Sequence, residues 1–376
     1  GTPTISFRDL TIQKRENDLV AASFGRGFFV LDDYSALREF TDSNLSQKGK
    51  LFSPRPAKWF VPRSNVGNTG ADYYFSKNPE FGAVFTYHLA DHYKTKKQLR
   101  VVEEKKLTNS NIPFPGWDSL DAERRESAAQ VILTIKDEAG NIVNKVSKKA
   151  SKGSHRIAWD LTHFNPFAIS SDGSSRRRYS GGAMAIPGNY SAFIHIEKEG
   201  VVTILDGPVL FEVKPIRKGI LKGVSYSDYD SFRISLAKLL KEINAVQDVF
   251  NQSVNKHKAM KVALSRTNIA PGSIELQLAS LDNEINSINK MLSGSPSRRE
   301  IGERNAAGMQ NYLYNAMNGM ENSYGPTGVH KKSFSIAKEM LINIKDKIEA
   351  LQDSINPIEK ILKAAGAPYI NGQGID

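Results

Sequence analysis

The chain of 376 residues contains no cysteine, which excludes disulfides, thiolate nucleophiles and thiolate metal sites together. Histidine is scarce, at seven residues, and only His88 and His92 stand close to one another. An i,i+4 pair suits a metal when it lies on a helix, but residues 83–89 read as a strand. No acidic third ligand stands at a telling offset, so no metal site is assigned. No apolar run approaches the roughly 20 residues of a membrane span, and no signal-peptide pattern opens the sequence. The strained Gly-x-Ser-x-Gly elbow of a serine nucleophile is missing. No internal repeat is visible either. These absences leave no catalytic residue and no cofactor to nominate.

What is present begins with charge and a β pattern. The 51 basic against 40 acidic residues give a formal charge of +11, which permits contacts with anionic polymers. The basic residues are spread out, with local clusters at 94–100, 145–156 and 176–178 that read as solvated surface. No basic helix is interleaved with base-stacking aromatics, so no nucleic-acid partner is expected.

Near the start, the apolar runs 19–24 and 28–31 flank Gly25, Arg26 and Gly27, a reversal able to take the positive φ of a tight hairpin. A third run, 5–12, precedes them. Gly25-Arg26-Gly27 is too short for a phosphate-binding loop and is followed by a strand where such a loop needs a helix. Three short strands are too few to stand alone, so this segment reads as a fragment of a larger β structure. Asp32 and Asp33 are adjacent and would point to opposite faces of a strand. They therefore fit a strand end and its following turn better than a glycosidase carboxylate pair.

The string Arg-Glu-Asn-Asp-Leu-Val (15–20) followed by Phe-Gly-Arg-Gly-Phe-Phe-Val-Leu-Asp-Asp (24–33) resembles the closing blade of large bacterial (Bacteroidetes-type) β-propeller proteins. These carry sortilin-like or neuraminidase-type (BNR) repeats and are often labelled glycosyl hydrolases. The resemblance continues through Leu-Phe-Ser-Pro-Arg-Pro (51–56), Asn-Pro-Glu-Phe-Gly-Ala-Val-Phe-Thr-Tyr (78–87) and His-Arg-Ile-Ala-Trp-Asp-Leu (155–161). It implies that a propeller precedes these residues in the same polypeptide. It further implies a protein exported to the periplasm or cell surface of a Gram-negative bacterium.

Beyond the blade strands at 1–33, residues 34–75 read as a connector rich in Ser, Asn, Gly and Pro, anchored by Leu51, Phe52, Trp59 and Phe60. Over 76–216 the period is two. Val131, Leu133 and Ile135 share one face, as do Ile157, Trp159 and Leu161, then Tyr190, Ala192, Ile194 and Ile196, and finally Val209, Phe211 and Val213. Short alternating strands punctuated by Gly and Pro suggest a fibronectin- or immunoglobulin-like β-sandwich.

Past Pro215 the apolar spacing lengthens to three and four. Stripes run from Phe232 to Val254, from Ile274 to Leu292, from Met309 to Met320 and from Phe334 to Leu362. Ser227 with Asp230 reads as the start of the first helix, and Pro357 should kink the last one. Residues 222–366 are thus expected to form an antiparallel helical bundle, with 367–376 as a tail. The fold class is multidomain α+β: blade strands, a sandwich and a bundle.

Binding candidates are few. Trp117, in Pro-Phe-Pro-Gly-Trp (113–117), and the pair Tyr73 and Tyr74 could stack on sugar rings or plug a domain interface. Arg176, Arg177 and Arg178 could grip a phosphate or sulfate through guanidinium forks, or lie on a solvated loop. The expected role is non-catalytic: structural packing plus contacts with protein, glycan or an outer-membrane or secretion-associated complex. The alternative is part of a glycan-acting hydrolase whose active site lies in the propeller.

Overall fold

A computed structural model describes the chain except residues 1–3, 63–69, 71–75, 77, 108–111, 172, 174–181, 218 and 374–376. The chain forms two compact units, residues 1–164 with 184–219, and residues 165–183 with 220–376. Together they are a mixed α and β structure with several sheets and a C-terminal helical region.

In the first unit, β1 (Phe7–Gln13), β2 (Asp18–Ser23) and β3 (Phe28–Leu31) form an antiparallel three-stranded sheet. Its second turn is possible because Gly25 and Gly27 sit at φ 73° and 79°, a region that side chains avoid. The segment expected to be a plain connector then contributes regular structure. A 3-10 turn at Ser35–Glu39 and helix α1 (Asp42–Leu45) lead into β4 (Gly49–Leu51) and β5 (Ala57–Trp59). Pro54 and Pro56 lie between β4 and β5, where no ladder donor is needed.

The rest of this unit comprises β6 (Ala83–Leu89), α2 (Lys96–Glu104), α3 (Trp117–Arg125), β7 (Gln130–Asp137), β8 (Ile142–Lys149), β9 (Gly153–Trp159), β10 (Gly188–Lys198) and β11 (Val201–Pro215). Five strands pair in the order β5-β11-β10-β7-β8 and three in the order β4-β6-β9. Strict alternation buries Ala83, Phe85, Tyr87 and Leu89 from β6, and Tyr190, Ala192, Ile194 and Ile196 from β10. Both sheets contribute to one core. Within it Phe85 of β6 meets Phe211 of β11 edge-on at 5.0 Å, and Trp159 of β9 meets Tyr190 at 5.2 Å. The Trp159 indole donates to the Thr162 carbonyl at 2.8 Å, so a fully buried ring keeps its polar handle satisfied. Gly82 is fixed by the same strand: at φ 107° a Cβ there would run into the Trp159 carbonyl oxygen.

The second unit contains α4 (Tyr226–Leu264), α5 (Ser273–Ser293), α6 (Pro296–Glu300), α7 (Met309–Asn318) and α8 (Gly328–Ala364). The apolar stripes turn inward, burying Leu236, Leu239 and Ile243 of α4, Leu281 and Ile288 of α5, and Ile344, Ile348 and Leu351 of α8. The cap of α4 is Ser225, whose side chain accepts from the Asp228 amide at 3.0 Å. The start expected at Ser227 is therefore two residues late, because it is the Ser225 hydroxyl that satisfies an orphan amide of the first turn. Helix α8 runs on through Pro357 to Ala364.

The direction of packing also differs from a wholly antiparallel bundle. Phe232 meets Phe334, Glu242 pairs with Lys345 and Lys256 with Glu359. These contacts climb both helices together, so α4 and α8 are parallel. Intervening helices α5 to α7 carry the chain back between them. By contrast α7 and α8 are antiparallel, with Asn315 donating to Ser333 Oγ at 2.7 Å and Gly319 lying against His330. His257, wholly buried on α4, donates through Nε2 to the Leu278 carbonyl of α5 at 2.9 Å. It is a core histidine with its hydrogen bond made.

Candidate binding surfaces

The three-stranded sheet of residues 7–31 is unusual in having apolar side chains on both faces. Its register places Leu10 beside Ala21 and Phe29, and Ile12 beside Leu19 and Leu31. Paired residues share a face, so these six form one side, joined by Phe7, whose ring meets Phe29 edge-on at 5.7 Å. On the other side Val20 lies beside Val30 and Ala22 beside Phe28. Among the described residues of this unit neither face is fully covered, although the central strand β2 is half-buried. Leu10 is 61% exposed on the first and Phe28 77% exposed on the second. None of these residues joins the core of the unit.

Polar clamps instead hold the sheet to the unit. Glu16, in the β1–β2 turn, receives Lys58 Nζ at 2.8 Å and Arg55 Nη1 at 3.2 Å. Arg55 also donates to the Glu16 carbonyl at 3.0 Å. The Lys58 hydrogen bond, opposed by partial burial and aided by the nearby basic charges, holds the Glu16 carboxyl below its usual range. At the other end Arg156 of β9 donates to the carbonyls of Asp32 and Asp33. The Asp33 carboxylate accepts from the Ser35 amide at 3.2 Å and from its hydroxyl. Asp33 thus closes a turn, with φ 43°. The clamps position the sheet while leaving Leu10, Ile12 and Leu31 on one face and Phe28 and Val30 on the other exposed.

Among the residues singled out in the sequence, Trp117 begins α3 and is 75% exposed, its ring edge-on to the exposed Phe114 at 4.9 Å. Tyr73, Tyr74, Arg176, Arg177 and Arg178 lie outside the described residues. His88 sits on β6, its Nδ1 3.0 Å from Ser154 Oγ. Among the described residues no three histidine, aspartate or glutamate side chains gather as they would to hold a metal ion. No helix among them is long and apolar enough to cross a membrane. No known family model, curated protein or solved structure matches the chain.

Proposed function

We propose that this chain is the structural, interaction-mediating region that follows the propeller of an exported β-propeller protein. The observation that carries the reading is the two-faced apolar sheet. A propeller blade is a four-stranded sheet packed on both sides by its neighbours around the ring. Residues 7–31 supply three such strands, with apolar side chains on both faces and neither edge strand paired further among the described residues. An exposed arrangement of this kind is a pairing and aggregation hazard unless something covers it. In this reading β1 to β3 complete a ring built by preceding chain. The eight strands with a common core behind them form an immunoglobulin- or fibronectin-like sandwich that braces it. The helical unit is left for contacts with a cell-surface or secretion-associated complex. Localisation at the periplasm or cell surface belongs to the same reading.

Substitution in two contexts tests it. In the isolated chain Phe28→Glu is expected to change stability by no more than about 0.5 kcal/mol, as at an ordinary surface position. In the natural polypeptide, with its preceding sequence present, the same change would bury an unpaired carboxylate and cost roughly 3 kcal/mol or more. Equal tolerance in both contexts would refute the reading.

A further inference from the structure

The sequence holds two separate basic clusters, at 94–100 and 145–156, and the fold brings them to the two walls of one groove. Strands β6 and β9 pair so that Leu89 lies opposite Gly153 and His88 opposite Ser154. The chain leaving β6 therefore runs beside the β8–β9 turn. The groove, of about 630 Å³, lies between α2 with its approach and that turn. Tyr93, Val101, Val102 and Ala150 give it an apolar lining, and Lys94, Lys97, Lys149 and Lys152 rim it. No aspartate or glutamate lines it. This volume falls in the range of small-molecule sites.

Its cations are arranged differently from their neighbours. On α2, Arg100 forks onto Glu123 through Nε at 2.7 Å and Nη2 at 2.9 Å, and Lys96 pairs with Glu199 at 2.9 Å. The four groove lysines make no ion pair of that kind among the described residues. The Lys97 charge is felt by Glu123, but that carboxylate is held down first by its hydrogen bonds to Arg100. Like charges gathered around a concave surface focus a positive potential into it.

Local hydrogen bonds order both walls. Thr95 and Gln98 cap α2 reciprocally, at 3.2 and 3.0 Å. The turn is tied by the Ala150 amide to the Ala129 carbonyl at 2.8 Å, and by the His155 ring to the Ser151 and Lys152 carbonyls at 3.0 and 3.2 Å.

We propose that this groove binds a single-chain anionic amphiphile, its phosphate or carboxylate head held between the lysines of the two walls and its alkyl chain along Tyr93, Val101 and Val102. Free inorganic phosphate would use the rim alone, and a neutral alcohol the lining alone. The inference stands apart from the propeller reading, since every residue lining the groove lies between 92 and 152.

The test is calorimetric titration of the full chain with monomeric dodecyl phosphate, alongside dodecanol and inorganic phosphate. Saturable one-site binding of dodecyl phosphate is expected, with much weaker binding of either control. The double variant Lys97→Glu, Lys152→Glu should lose at least about tenfold in affinity, close to 1.4 kcal/mol. The control Lys105→Glu, Lys106→Glu, on exposed lysines beyond the groove, should not. Equal loss in both double variants, or equal affinity for dodecanol, would overturn the proposal. So would binding only to phosphatidylglycerol vesicles or only to an acidic peptide, which would make the patch a membrane or protein contact.

Discussion

Asp206 is the residue whose removal should weaken the first unit most informatively. It lies on β11, and its Oδ2 accepts from the Leu51 amide at 2.9 Å and from Lys50 Nζ at 3.0 Å, both on β4. Its Oδ1 accepts from the Gly207 amide at 2.8 Å. One carboxylate thus ties the five-stranded sheet to the three-stranded one. Burial alone would raise its pKa, but the three hydrogen bonds and the Lys50 charge outweigh burial and hold it below the ordinary value. Hydrogen bonds to a charged group contribute roughly 1.5 to 3 kcal/mol each, and Lys50, about one quarter exposed, contributes less because water screens it. Asp206→Ala at pH 7 should therefore cost about 2 to 4 kcal/mol. For a unit of this size that lowers its melting temperature by roughly 4 to 16 °C. Asp206→Asn keeps one acceptor and should cost less.

The pH dependence follows from the direction of the shift. A carboxyl whose folded pKa lies below its unfolded value, near 3.9 for aspartate, contributes its full stabilisation above that unfolded value. The contribution is lost as pH falls through the folded pKa. Urea unfolding of wild type and Asp206→Asn between pH 2.5 and 7 should show a gap that is full above about pH 5 and narrows toward pH 2.5. A gap that is constant with pH, or smaller than about 0.5 kcal/mol at pH 7 for Asp206→Ala, would refute the reasoning.

Three further outcomes are expected. In the helical unit Ile348→Ala removes buried methyl groups and should cost roughly 2 to 5 kcal/mol, whereas the exposed neighbour Lys347→Ala should stay within about 0.5 kcal/mol; thermal melts compare the two. Gly82→Ala should destabilise the first unit by more than about 1 kcal/mol, since it strains a positive φ and meets backbone that cannot yield. Glu16→Gln should loosen the clamp on the β1–β2 turn. Amide exchange at residues 7–31 should then accelerate while exchange in the β6 and β10 core is unchanged.

Much of the architecture could be read from periodicity, because burial on one face writes itself into spacing. The alternation of Tyr190 to Ile196 and the stripe of Ile274 to Leu292 both correspond to the buried faces of real elements. Helix α2 was hidden inside a β-rich stretch, although Thr95 followed three residues later by Gln98 was a readable capping signature. The parallel course of α4 and α8 could not be read, since each stripe specifies a face and not a partner. Asp206 and the Lys50–Leu51 segment are brought together only by the fold, as are the two lysine clusters of the groove. The two-faced sheet was visible as three strands too few to stand alone. Its register, which puts Phe28 and Leu10 on opposite sides, is set only by the strand pairing of the fold.

Hydrogen exchange at residues 7–31 tests the propeller-closing role most directly, measured in the isolated chain and in the natural polypeptide with whatever precedes it. In the isolated chain these amides should exchange rapidly, through local openings well below the global unfolding free energy. In the natural polypeptide, with both apolar faces and a free edge covered, they should be protected to the level of the β6 and β10 core. Slow exchange in the isolated chain, or no added protection in the natural polypeptide, would contradict the assignment of β1 to β3 as part of a larger ring.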